Sequence, residues 1–60
     1  MTPLHTAVLA GDRVMVGLLI ERGADVNAVT ENGWTALRYA TSKGDSRMTT
    51  LLISKGARYS

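Results

Sequence analysis

Apolar positions along the chain recur in two matched blocks, from Leu4 to Ile20 and from Leu37 to Ile53, separated by a polar stretch. Displaced by 33 positions, the chain matches itself at 11 of 27 aligned pairs without a gap. Thr2 falls on Thr35, Leu4 on Leu37, Ala7 on Ala40, Gly11 on Gly44, Asp12 on Asp45 and Met15 on Met48. Leu18-Leu19-Ile20 and Gly23-Ala24 recur as Leu51-Leu52-Ile53 and Gly56-Ala57. Self-similarity at such a period marks a repeat architecture, in which one supersecondary unit is copied and stacked.

Each copy predicts helix, tight turn, helix, loop. Thr2 caps a first helix, with Pro3 at its first position, where the missing N–H is not needed. That helix runs to about Ala10, and Gly11 ends it in a left-handed conformation. Asp12 caps a second helix, its carboxylate at the positive end of the dipole. Met15, Leu18 and Leu19 share one face there, beside Val16 and Ile20, and Gly23 closes the unit. Thr35, Gly44, Asp45 and Gly56 fill the same roles in the second copy. Residues 24–33 have no helical apolar face. Asn32-Gly33, a pair tolerant of positive φ, predicts a protruding turn or short hairpin.

The copies differ in a patterned way. Val8-Leu9-Ala10 becomes Thr41-Ser42-Lys43, while Val14, Val16 and Gly17 become Arg47, Thr49 and Thr50. Repeat arrays bury apolar faces only between neighbours, and a terminal copy needs a polar outer face. The second copy therefore reads as an end repeat and the first as an inner one, with an apolar face pointing away from the second.

Composition narrows the function. The 60 residues contain no cysteine and one histidine, His5, which excludes a disulfide framework and speaks against a Cys/His zinc site. A chain of this length buries only roughly 60% of its unfolded surface, so neighbours or partners matter to its stability. No signal peptide is visible, and the apolar stretch from Val14 to Ile20 is too short to span a bilayer, which needs about 20 residues. A soluble chain in a cytoplasmic or otherwise intracellular setting is expected, with no membrane partner. The net charge of +2 does not argue for nucleic acid.

Thr2-Pro3-Leu4-His5-Thr6-Ala7 carries the TPLH-x-A signature, and Gly23-Ala24-Asp25-Val26-Asn27-Ala28 follows at the right separation. By these motifs the chain resembles the ankyrin-repeat family over nearly its whole length. The resemblance implies an all-α helix-turn-helix repeat solenoid: a single unit over residues 1–60, with repeat 1 at about 1–29 and repeat 2 at about 30–60, joined by a β-hairpin-like turn. In the family the signature histidine links neighbouring repeats through hydrogen bonds. Arg38 stands at that position in the second copy and is expected to break the link. Thr30 stands where an aspartate is common.

The resemblance also implies a concave binding face formed by the turn and the far ends of the first helices. Carried over, that face holds Val29, Glu31, Asn32 and Trp34 on the turn, with Leu9, Ala10, Ser42 and Lys43 from the helices. Two readings of Trp34 stay open: a binding anchor, or packing across the hairpin or onto the neighbouring repeat. Arg38, Lys43, Arg47, Lys55 and Arg58 make the second copy basic, which reads as a solvated face or as a patch for an acidic partner. No aromatic ladder accompanies them, which disfavours nucleic acid. Leu19, Asp25, Val26 and Asn27 resemble the pattern selected by asparaginyl hydroxylases. The plainer reading is an asparagine bonding within its own loop.

No catalytic constellation is present. His5 has no second ligand or nucleophile beside it, Asp12 and Asp45 recur at capping sites, and the glycines lack phosphate-loop spacing. The expected function is therefore protein binding without catalysis, metal or cofactor. The alternative is a structural end piece of a longer array, or a unit that self-associates through the apolar face of repeat 1.

Overall fold

The computed structural model describes residues 1–58. Four helices follow one another: α1 (Pro3–Ala10), α2 (Arg13–Glu21), α3 (Ala36–Lys43) and α4 (Ser46–Ser54). α1 packs on α2, α3 on α4, and the two pairs meet through α1 and α3. The architecture is the all-α helical repeat that the doubled pattern predicts.

Local chemistry sets the helix ends. The Thr2 and Thr35 side chains accept from the backbone N–H of His5 and Arg38, and Asp12 and Asp45 do the same for Met15 and Met48. Each satisfies a donor that the first helical turn leaves without a partner. Gly11 ends α1 at φ 73°, where its N–H and that of Asp12 donate to the Val8 and Ala7 carbonyls. This is the paired closure of a helix by a left-handed glycine, and it hands the chain directly to the Asp12 cap.

The buried core comprises Leu4, Ala7, Val8 and Val16 of the first copy and Ala36, Leu37, Ala40, Met48, Leu52 and Ala57 of the second. On α2, Val16 is the fully buried residue, whereas Met15 and Leu18 are 43% and 41% exposed and Val14 faces solvent. The face expected from Met15, Leu18 and Leu19 is thus not where that helix is most buried. Helical periodicity locates an apolar stripe, but a solenoid buries two sides of it against different neighbours.

Equivalent positions make the reason visible. Val8 is buried and its counterpart Thr41 is exposed, whereas Met48 is buried and its counterpart Met15 is exposed. One set of positions faces the next copy and the other faces the previous one. The second copy is polar where the next copy would lie. The first copy remains apolar where a previous one would lie.

The joining segment carries a single antiparallel bridge, Val29 to Thr35. The Thr30 N–H donates to the Trp34 carbonyl, and the Gly33 N–H to the Thr30 carbonyl. Gly33 alone adopts positive φ, at 77°; Asn32 does not. The turn thus centres on Glu31-Asn32 with a left-handed glycine after it. That is a three-residue hairpin loop, a short hairpin of the kind that Asn32-Gly33 predicts.

Candidate functional site

His5 is fully buried and bonded at both ring nitrogens. A carbonyl only accepts, so Nε2 carries the proton and donates to the Ala28 oxygen at 3.0 Å. Nδ1 then accepts from the Thr2 hydroxyl at 2.6 Å. The TPLH signature therefore caps α1 and fixes the loop that leads into the second copy. His5 also meets the edge of Tyr39 on α3, with ring centroids 5.7 Å apart.

Arg38 replaces this device in the second copy. Its guanidinium lies over the Trp34 ring, 4.4 Å from the centroid. Trp34 in turn packs against Tyr39, centroids 5.1 Å apart, and its backbone N–H donates to the Thr30 hydroxyl. Trp34 is half-buried, and its partners belong to its own turn and its own following helix. Tyr39 is the hub of this cluster, with its hydroxyl donating to Thr30 at 3.4 Å. Sequence reasoning missed it. The signal was an aromatic residue where the first copy has Thr6, five residues after Trp34.

The candidate contact residues fall into two groups. Val29, Glu31 and Asn32 are exposed on the turn beside Trp34, at the start of α3. Ser42 and Lys43 lie at the other end of that helix, about 12 Å away for eight residues. There the Lys43 ammonium donates to the Leu9 carbonyl, which joins the ends of α1 and α3. Ala10 also borders an apolar groove on the outer side of the first copy, with Pro3, Thr6, Ala7, Met15 and Leu19.

Asn27 does not bond only within its own loop. Its amide donates to the Gly56 carbonyl at 3.2 Å and accepts from the Arg58 N–H at 3.1 Å, clamping the first loop to the end of α4. Among the described residues no cluster of His, Cys, Asp or Glu is placed to hold a metal, and no helix is long and apolar enough to cross a membrane.

Residues 1–60 match the family model described as ankyrin repeats (3 copies). The chain belongs to the ankyrin-repeat family. Mouse protein phosphatase 1 regulatory subunit 27 is 44% identical over 57 residues, covering 95% of this chain and 37% of that protein. Mouse RelA-associated inhibitor is 39% identical over 57 residues, 95% of this chain and 7% of the inhibitor. Human ankyrin repeat domain-containing protein 13C is 41% identical over 54 residues, 90% of this chain and 10% of that protein. The chain thus spans little more than a third of the phosphatase subunit and far less of the others. Ankyrin repeats are protein-interaction modules and are generally non-catalytic.

Proposed function

We propose that the chain binds another protein, without catalysing a reaction, through the turn and the ends of the first helices. Trp34 carries this reading. It stands at the base of an exposed turn, held by Arg38 and Tyr39, so that little conformational freedom is lost when a partner covers it. Glu31, Asn32 and Val29 supply polar and apolar contacts beside it, and Leu9, Ala10, Ser42 and Lys43 form a second patch at the far end of α3. A large aromatic group with a polar rim is the usual centre of binding energy in protein interfaces. The names of two relatives, a phosphatase regulatory subunit and an inhibitor, agree with action on other proteins.

The test is a paired capture experiment with the immobilised wild-type chain and its Trp34→Ala variant, read by quantitative mass spectrometry beside thermal melts. Proteins held by the wild type and lost from a variant of unchanged stability support the binding role. Equal retention by both chains defeats it. A large loss of stability with no change in binding favours a structural role for Trp34.

One further observation favours self-association as the second reading. The groove beside Met15 and Leu19 has a volume of about 440 Å³, and its walls are mainly apolar. Light scattering over a concentration series decides the matter. A mass that rises with concentration, and falls back to the monomer in Met15→Lys, supports association through this groove. A constant monomer mass rules it out.

A further inference from the structure

A second groove, also of about 440 Å³, is lined by residues of the turn and of α3, with Arg58. Its wall includes Leu37, Arg38 and Thr41, the counterparts of Leu4, His5 and Val8, by which the first copy meets the second. It is therefore the outer face of the second repeat. Arg58 also lines the groove, and Val29 adds exposed apolar surface.

The chemistry of this face is one-sided. From Gly33 to Arg58 the sequence has five basic residues and one acidic residue, Asp45, whereas residues 1–32 have two basic and four acidic. Among the described residues no carboxylate lines the groove, and neither the Arg38 nor the Arg58 side chain has a hydrogen-bond acceptor. The Arg38 guanidinium carbon lies over the Trp34 ring, 4.4 Å from its centroid. Stacking occupies the face of a guanidinium and leaves its N–H donors free around the edge, where they match the two oxygens of a carboxylate. The Arg58 backbone N–H donates to the Asn27 side chain, which anchors this residue beside the groove.

We propose that this groove binds an acidic protein segment, with its carboxylates taken by Arg38 and Arg58 and a neighbouring apolar side chain against the exposed Val29. Charge complementarity selects the occupant, and the volume suits a short extended segment, since clefts of roughly 300–1,000 Å³ hold small ligands. The site shares Val29 with the turn and touches Trp34 through Arg38, but Arg58 lies outside the binding face proposed above, so Arg58→Gln separates failure of this proposal from failure of that reading.

The probe is a blocked hexapeptide alternating glutamate and leucine, titrated into the 60-residue chain at physiological salt. Trp34 is the only tryptophan and lies under Arg38, so its fluorescence reports occupancy directly. Saturable binding is expected, with a change in Trp34 emission, and it disappears when the glutamates are replaced by glutamine. Arg38→Gln and Arg58→Gln each weaken it at least about tenfold, as loss of a charged hydrogen bond does. Arg38→Lys also weakens it, because an ammonium neither stacks flat nor forks. Lys55→Gln leaves affinity within a factor of about two, since exposed charges outside the groove are screened. Circular dichroism checks each fold. Arg58→Gln keeps the backbone bond to Asn27, and so gives a clean result even if Arg38→Gln unfolds. Three outcomes overturn the proposal: no saturable binding, equal losses in Lys55→Gln and Arg58→Gln, or tighter binding of a single-stranded oligonucleotide than of the peptide.

Discussion

At the scale of single residues, His5 ties the first copy together and Asn27 bonds it to the second. Replacing His5 with Ala leaves the Ala28 carbonyl and the Thr2 hydroxyl without their partner and opens a cavity in a fully buried site. The expected loss is about 2–4 kcal/mol. That is comparable with the whole stability of a chain this small, about 3–5 kcal/mol, so His5→Ala should be largely unfolded by far-UV circular dichroism at 25 °C. Asn27→Ala removes two longer and more exposed bonds. It should cost only about 1 kcal/mol and raise amide hydrogen exchange at Arg58, whose N–H Asn27 accepts. The part played by His5 was legible in the TPLH signature. That of Asn27 was not, because its partners Gly56 and Arg58 lie 29 and 31 residues away, and nothing local marks such a contact.

At the scale of elements, the helices were legible because their ends are written in short-range chemistry. Thr2, Thr35, Asp12 and Asp45 cap, and Gly11 and Gly44 close, within three or four residues of the groups they satisfy. The turn was less legible. Asn-Gly is common to more than one loop type, and which residue takes positive φ depends on where the bridge from Val29 to Thr35 sets the register. The Trp34–Arg38–Tyr39 cluster was half visible, since it needs α3 to present Arg38 and Tyr39 back toward the turn. α2 has one defect as a helix: Gly17 lies in its interior with ordinary helical φ and nothing within 4 Å of where a Cβ would stand. Gly17→Ala restricts the unfolded chain without a clash. It should stabilise the protein by about 0.5–1 kcal/mol, seen as a higher urea midpoint at unchanged slope.

At the scale of the whole molecule, the two methionines at one repeat position offer a test of how neighbours divide the stability. Met15 and Met48 have the same chemistry, the same cap three residues before them and the same place in their helices, yet one is 43% exposed and the other fully buried. Only the presence of a preceding copy distinguishes them. In a solenoid, stability is a sum of repeat terms and nearest-neighbour terms, so the cost of truncation should follow the neighbour rather than the residue. Met48→Ala should cost about 2–5 kcal/mol, the range for emptying a buried site. Met15→Ala in dilute monomer should cost less than about 1 kcal/mol, as for an exposed side chain. Urea unfolding of both variants measures the difference. Repeating it at rising protein concentration adds a second readout. If copies of the chain cover the groove beside Met15, the wild-type midpoint rises with concentration and the Met15→Ala midpoint lags behind it, because anything bound only to the folded state stabilises it by mass action. A midpoint independent of concentration, with Met15→Ala mild throughout, means that this apolar face stays open in the isolated chain.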